Sequence, residues 1–345
     1  MKPVTCLIPF WLPGLLLLTS CGSEPVSNDP APILERLQPA PQNGGFRMPG
    51  YLIWGGSIIE ENGEYHLFAS RWPTWEVLGI EFEPSERASL LSGYRDHSEI
   101  VRAVAQDPLG PYTFAEVVLA GRGGSWWDGQ MCHNPKILRS GGRYLLYYIG
   151  RSTKSRLRRI GYTWSESIRG PWQRCDSPLT LTSDANNPAP FIYPDGRVLL
   201  AFRDQNLVNY IALADHYDAV YQIKARDIMP GIRLEDPTIF SCGDLMHMVI
   251  EDNRGQLTGD VRHGAHLISG NGLEWRPHRT VKAYTHTVEW RDGSSTMFDR
   301  RERPELLNLN APAEEKYGGE PTHLVTGVQL GRQSWCLVQE IAPPD

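Results

Sequence analysis

Three carboxylates stand in short polar clusters that could carry hydrolytic chemistry. They are Asp236 in Glu235-Asp236-Pro237, Glu302 in Arg301-Glu302-Arg303-Pro304, and Asp128 in Trp126-Trp127-Asp128-Gly129. Two carboxyl groups in unlike surroundings can divide acid and base work, because burial or a like charge raises one pKa while a nearby cation keeps the other ionised. Arg301 and Arg303 flank Glu302 and are expected to hold it ionised, as a base or as a clamp on substrate. Glu235 precedes Asp236, and strand alternation would turn it to the other side, as a supporting contact. The plainer readings are turns for Asp236 before Pro237 and for Asp128 before Gly129, and a surface ion cluster for Glu302.

Neutral groups occupy similar places. His133-Asn134-Pro135 and Asn186-Asn187-Pro188 offer His133, Asn134 and Asn187 as hydrogen-bonding residues suited to hydroxyls. His133 could also give up a proton near neutrality. His263, in Arg262-His263-Gly264, is a similar, weaker candidate. Asp252, in Glu251-Asp252-Asn253-Arg254-Gly255, ends an apolar stretch and could reach a pocket through a loop. Arg203-Asp204 reads as a pocket-edge pair or a surface pair, with the surface pair favoured. No G-x-S-x-G elbow, P-loop or H-E-x-x-H helix is present. The Ser-x-Asp-x-Gly-x-Thr-Trp boxes of sialidases are missing as well.

The elements that position these residues repeat. Each triplet opens a strand, a Gly-containing turn follows, and a second apolar-aromatic strand comes next. The openings are Trp54-Gly55-Gly56, His133-Asn134-Pro135, Asn186-Asn187-Pro188, Glu235-Asp236-Pro237 and Glu302-Arg303-Pro304. A repeat of about 50 residues with loop insertions is the size of a four-stranded propeller blade. A second signature recurs in Asp107-Pro108-Leu109-Gly110-Pro111-Tyr112, Ser167-Ile168-Arg169-Gly170-Pro171-Trp172 and Ser269-Gly270-Asn271-Gly272-Leu273-Glu274-Trp275. It suits the outer hairpin of a blade. Together these predict an all-β, five-bladed β-propeller.

Composition agrees with many turns and few long helices: 33 Gly and 27 Pro in 345 residues. The formal net charge of −6 leaves no basic footprint for nucleic acid. Residues 1–20 read as a processing signal: Lys2, a short apolar run from Leu7 to Leu18, then Leu18-Thr19-Ser20-Cys21. That ending resembles a lipobox, which implies lipidation at Cys21 and an exported protein anchored to the cell envelope. Gly22 and Ser23 after the Cys favour the outer membrane. Residues 21–45, rich in Pro and Ser, are expected to be a flexible tether. Residues 46–345 form the propeller, expected to be a monomer. Cys132, Cys175, Cys242 and Cys336 lack a C-x-x-C pair, so no zinc site is expected and buried free thiols are. No cofactor is expected; a structural Ca²⁺ on the axis is conceivable, but no ligand cluster compels one.

With the triplets in view, the chain resembles the five-bladed propeller glycoside hydrolases, the group that includes families 32, 43, 62, 68, 117 and 130. Glu235-Asp236-Pro237-Thr238-Ile239-Phe240 is the closest copy of their inner-strand opening. The ordered set of Trp54-Gly55-Gly56-Ser57, Trp127-Asp128-Gly129, Glu251-Asp252-Asn253-Arg254-Gly255 and Arg301-Glu302-Arg303-Pro304 is similar to an exported branch near families 43 and 117. The resemblance covers about residues 45–341. It implies cleavage of a poly- or oligosaccharide by carboxylate acid/base catalysis in the axial pocket. Asp236 stands in the slot where the resemblance places a catalytic Asp; read from the residues themselves, Glu302 or Asp128 is its candidate partner, and Trp54, His133, Asn134, Asn187, Glu235, Arg303, Asp252 and His263 are candidate sugar contacts. Trp54 would stack on a sugar or plug the centre, and Arg303 would meet a carboxylate or sulfate on the sugar. One departure stands out. The resemblance predicts carboxylates on blades one to three, and here those triplets read Trp-Gly-Gly, His-Asn-Pro and Asn-Asn-Pro. A non-catalytic glycan-binding lipoprotein and a phosphate-dependent phosphorylase are therefore the alternatives.

Overall fold

The computed structural model describes residues 32–79 and 93–344. The processing signal and Cys21 lie outside the described residues. Five antiparallel blade sheets follow one another along the chain, with a two-stranded hairpin, Thr287–Glu289 and Ser295–Met297, between the fourth and the fifth. Blade 1 is Tyr51–Glu61, Glu64–Pro73, Glu99–Ala105 and Thr113–Leu119. Blade 2 is Met131–Ser140, Arg143–Arg151, Arg158–Ser165 and Gln173–Arg174. Blade 3 is Asn186–Ile192, Val198–Arg203, Asn209–Ala214 and Gln222–Arg226, and blade 4 is Leu234–Cys242, Leu245–Asp252, His263–Ser269 and Arg276–Tyr284. Blade 5 has three strands, Arg300–Leu307, His323–Leu330 and Gln333–Glu340. The fold is a five-bladed β-propeller, with each triplet on the innermost strand of its blade. The outer signature falls between third and fourth strands in blades 1, 2 and 4, where Leu109, Tyr112, Ile168 and Trp275 are buried.

Each innermost strand breaks register at its triplet. Gly55 and Gly56 lie between the pairs Trp54↔Ser70 and Ser57↔Phe68, so two residues oppose one. The same shift falls at Asn134-Pro135, Asn187-Pro188, Asp236-Pro237 and Arg303-Pro304. These are β-bulges. The first bulge residue is left-handed in all five: Gly55 φ 64, Asn134 φ 54, Asn187 φ 55, Asp236 φ 56 and Arg303 φ 59. Gly, Asn and Asp tolerate that region, and Pro is tolerated at a bulge because no ladder N–H is needed there. The repeated triplet is thus a repeated bulge.

Just beyond the bulges a charged hub closes the axis. Glu305 is fully buried and forms ion pairs with Lys136 of blade 2 and with Lys316, at 2.9 Å, from the blade 5 loop. Ser57 Oγ donates to Glu305 at 2.6 Å and Tyr317 OH at 2.7 Å. Burial would raise the Glu305 carboxyl, but the two ammonium groups outweigh it and hold it at about 2. Two cations facing one anion make this network sensitive to loss of the carboxylate.

The ring closes through its N-terminal segment. Leu37 bridges Ile341 and Phe46 bridges Cys336 on the outermost strand of blade 5. Arg36 donates to the Ala342 carbonyl at 3.1 Å and pairs with Glu320 at 3.0 Å. The expected tether is corrected here: Ile33 and Ala40 are buried, so residues 33–45 belong to the propeller. Ile33 packs among the side chains of blade 4 and Ile341, Ala40 packs against Trp290 and Trp335, and Phe46, where the propeller was expected to begin, fills the seam between the first and last blades. Among the described residues all four cysteines are free, Cys132 and Cys336 buried, Cys175 and Cys242 half-buried.

Two stability outcomes follow. Phe46→Ala should cost about 3 kcal/mol in urea unfolding, through lost burial and a cavity at the seam; a loss below about 1 kcal/mol would show that the seam does not carry closure. Glu305→Gln should cost about 3 kcal/mol at pH 7, leaving two ammonium groups uncompensated. The folded Glu305 pKa lies below its ordinary value of 4.5, so its contribution is present above pH 4.5 and lost as pH falls towards about 2. The variant should therefore lose part of the wild type's acid sensitivity over that window; an unchanged acid limb would contradict this.

Candidate active site

The bulges converge on a cavity of about 310 Å³ at one end of the axis, lined by Trp54, Asn134, Asn187, Glu235, Asp236, Glu302 and Arg303 among others. Four of the five left-handed residues form a hydrogen-bonded chain around it. Asn134 Nδ2 donates to Asn187 Oδ1 at 3.2 Å, Asn187 Nδ2 donates to Asp236 Oδ1, and Arg303 donates to the same oxygen at 2.9 Å. Asp236 is the terminal acceptor, which sets the orientation of both amides. Gly55 leaves a gap: a Cβ there would stand 3.0 Å from Asn134 Oδ1 and 3.5 Å from Arg303 Nε. Those two buried atoms are an acceptor and a donor without partners.

The carboxylates gather on blades 4 and 5. Oxygens of Asp236, Glu251 and Glu302 lie within 4.8 Å of one another. Glu302 accepts from Arg262 at 2.6 Å and from Arg300 at 3.2 Å. Arg262 also reaches Glu251 at 3.2 Å, and Arg203 pairs with Glu235. Burial raises the Glu302 carboxyl, and Asp236 and Glu235 add to it against the pull of Arg300 and Arg262. Burial also raises Asp236, with Arg303 offsetting part of it. Glu251 is pushed well above the usual range by burial and by Glu302, Glu235 and Asp236. Burial pushes Glu235 up too, but Arg203, Arg262 and Arg303 outweigh it and hold it below. Burial and mutual repulsion thus push three of these carboxyls up while the arginines hold the fourth down.

Three carboxylates at this spacing resemble a cation site, a cluster not anticipated from the sequence. The site's cations are already in place, however. Arg262 bonds two of the three acids and Arg303 the other, so an added metal ion would face guanidinium groups at hydrogen-bond distance. The donor set fits shared protons better than a metal.

An aromatic wall completes the pocket. Tyr94 stacks on His133 with centroids 4.5 Å apart, and Trp72 meets His133 edge-on at 5.7 Å. His133 Nδ1 and Ser98 Oγ are 2.8 Å apart. Burial, Arg303 and Arg158 push the His133 pKa well down, so the ring stays neutral and has no proton to give at neutral pH. That corrects its reading as an acid and leaves it as a hydrogen-bonding wall. Trp54 lies over Gly327 of blade 5, where a Cβ would come within 2.9 Å of the indole. It packs between blades 1 and 5 and lines the cavity.

Several expected placements change. Asp128 lies outside the cavity, fully buried and engaged by Arg122 at 2.7 Å, Tyr148 at 2.7 Å and Arg174 at 3.3 Å. It ties a loop to blade 2. Asp252 accepts from the Gln256, Leu257 and Thr258 backbone N–H groups at 2.6–2.9 Å and so shapes the loop after blade 4's second strand. His263 lies tilted against His286, with ring centroids 5.0 Å apart, and stands 3.5 Å from Asp260, away from the cavity lining. Arg301 does not hold Glu302; it turns into blade 5, donating to Thr326 at 3.2 Å and to the Thr285 carbonyl at 3.0 Å. Arg300 and Arg262 take its place. Arg203 is a pocket residue rather than a surface one. Glu235 and Asp236 both line the cavity, because the bulge between them breaks strand alternation. Glu251 was missed. It pairs with Glu235 across the first two strands of blade 4, one place off the register counted from the Gly243 turn, because the bulge at Asp236-Pro237 intervenes.

No protein-family profile matches the chain, and no curated protein matches it in sequence. Solved structures do match in shape. A family 117 glycoside hydrolase of the marine bacterium Zobellia galactanivorans aligns with TM-score 0.61 and 14% identity, covering 88% of each chain. The fold is shared. An α-L-arabinofuranosidase of Podospora anserina, solved with cellotriose, aligns with TM-score 0.61 and 13% identity over 91% of this chain and 96% of that one. A family 43 β-xylosidase/α-arabinofuranosidase from a compost metagenome, solved with xylotriose, gives TM-score 0.58 and 14% identity over 90% and 96%. The propeller is thus one that glycoside hydrolases use.

Glu251 offers a direct check on this electrostatic arrangement. A carboxyl whose folded pKa is raised destabilises the fold as pH climbs above its unfolded value of 4.5. Glu251→Gln, which mimics the protonated form, should raise the melting temperature at pH 7, with the gain fading towards pH 4. A variant less stable than wild type at pH 7 would mean that Glu251 is ionised in the fold.

Proposed function

We propose that this propeller is a glycoside hydrolase that works in the axial cavity with Asp236 and Glu302 as its carboxyl pair. The observation that carries the reading is the placement of both groups in one cavity, each with its pKa raised and each bonded to guanidinium. Glycoside cleavage requires one protonated carboxyl at the leaving oxygen and one ionised carboxylate at the anomeric side. Mutual repulsion makes one member of such a pair hold its proton while the other ionises. Tyr94, half-buried, offers a ring face to a sugar, and Asn134, Asn187 and His133 offer hydrogen bonds to hydroxyls.

The nearest oxygens of Asp236 and Glu302 lie within 4.8 Å of each other, close enough for the pair to act on one glycosidic bond. Export, lipid attachment at Cys21 and a monomeric state belong to the same proposal and rest on residues 1–45 and the closed ring.

A second reading has its own support. The bulge positions of blades 1 to 3 carry Gly55, Asn134 and Asn187, none of them an acid, which suits a glycan-binding protein without catalysis. Phosphorolysis is less well supported, since Arg203, Arg262 and Arg303 are already committed to carboxylates.

A glycan panel decides among these. The folded wild type should release product without added phosphate, and Asp236→Asn and Glu302→Gln should each lower kcat/KM by at least about 100-fold. Cleavage with both variants matching wild type would sink the site assignment. Retention on polysaccharide gels without product would favour the binding protein.

A further inference from the structure

A second cleft, of about 650 Å³, opens beside the axial cavity and shares Arg95, Met131 and Arg158 with it. Its remaining charged lining is Arg151, Lys154, Arg156 and Asp96. Five cations therefore face one acid, on a chain whose formal net charge is −6. The imbalance is local and sits next to the proposed site of cleavage.

The internal pairing does not cancel it. Arg151 takes up Asp96 at 2.7 Å, and Arg158 stands 3.5 Å from Asp184. Arg95, Lys154 and Arg156 are exposed and have no ion pair among the described residues. The walls also hold donors without acceptors. Nε of Arg151 is buried and unbonded in the cleft; so are Nε of Arg203 and of Arg303 in the axial cavity. Those last two side chains are 7% and 3% exposed, so water does not freely serve them. A buried N–H without a partner costs stability, and a ligand rich in acceptor oxygens would relieve it.

We propose that the substrate is an anionic glycan whose units next to the cleaved bond bear carboxylate or sulfate groups, seated in this cleft. The inference rests on the reading of the axial cavity as a saccharide site and adds the charge class of the substrate. A planar guanidinium donates two parallel hydrogen bonds to a carboxylate or a sulfate, whereas a hydroxyl accepts one at a time. A concave wall of one sign also concentrates ligands of the other sign, an effect that salt weakens. Nucleic acid is disfavoured by the acidic remainder of the surface and by an aromatic wall on only one side of a small cavity.

Binding by titration calorimetry, with the full chain carrying Asp236→Asn to prevent turnover, tests this apart from catalysis. The probes are galacturonan oligosaccharides with their methyl-esterified, neutral counterparts, and sulfated galactan oligosaccharides with their desulfated counterparts. At least one charged form should bind at least tenfold more tightly than its neutral partner, and more weakly as salt is raised. In an Arg95→Ala/Lys154→Ala/Arg156→Ala background, whose positions are exposed and make no ion pair among the described residues, that discrimination should fall at least tenfold. Uronate and sulfate arms show which anion is preferred. Equal binding of charged and neutral forms, or discrimination untouched by the triple variant, would overturn the proposal while leaving the saccharide reading standing. Failure to bind any of the glycans would overturn both.

Discussion

The left-handed bulge at the head of every inner strand is the constraint on which the rest of the molecule depends. An L-residue in that region costs about 1–2 kcal/mol, least for Gly, Asn and Asp. Four blades meet it with those residues. Blade 5 meets it with Arg303, whose guanidinium is bound to Asp236 on the neighbouring blade. The one costly conformation is thus placed where an ion pair between blades holds it. Because the bulge puts two residues against one, consecutive side chains reach the same cavity, and polar groups crowd there more densely than strand alternation allows.

That crowding sets the electrostatics. Glu235, Asp236, Glu251 and Glu302 sit among Arg203, Arg262, Arg300 and Arg303, so charge is balanced across the group rather than pair by pair. Burial raises each carboxyl, the arginines lower it, and position decides the result. Glu235, beside Arg203, falls; Glu251, which shares Arg262 with Glu302, rises most. One fold segment thereby yields acids of different strength. A few residues further along the same strands, Lys136 and Glu305 with Lys316 make a second charged layer that is wholly internal. The inner strands thus carry chemistry at one level and cohesion at the next.

The blades were legible because the bulge demands a recognisable residue pair, a left-handed residue followed by Pro, and because Gly turns recur after it. Asp236, Glu302, Asn134 and Asn187 were legible for the same reason, as members of that pair or its neighbour. Residues placed by pairing across strands were not. Glu251 needs the register of blade 4 to be seen, and Arg262 comes from a loop whose path Asp252 fixes. Asp128 was misplaced because Trp-Asp-Gly looks the same in an open loop as it does buried against Arg122, Arg174 and Tyr148. Arg301 was misplaced because flanking residues in sequence face opposite ways on a strand. The segment 33–45 looked like a linker because its apolar residues are few, yet Ile33 and Ala40 are buried against neighbours that only the folded propeller brings together.

The internal hub also bears on the order in which the chain can assemble. Ser57 and Glu305 are separated by 248 residues, and Lys136 and Glu305 by 169. As the polypeptide emerges from its N-terminus, Lys136 enters a nascent second blade long before its counter-ion exists. Until Glu305 arrives, that ammonium must stay hydrated, which keeps the centre of the partial propeller open to water. Contacts of such long range make for slow folding. Here they also mean that early blades cannot dry their shared axis and lock prematurely. The last blade, together with the segment that began the chain, expels the water and completes the molecule.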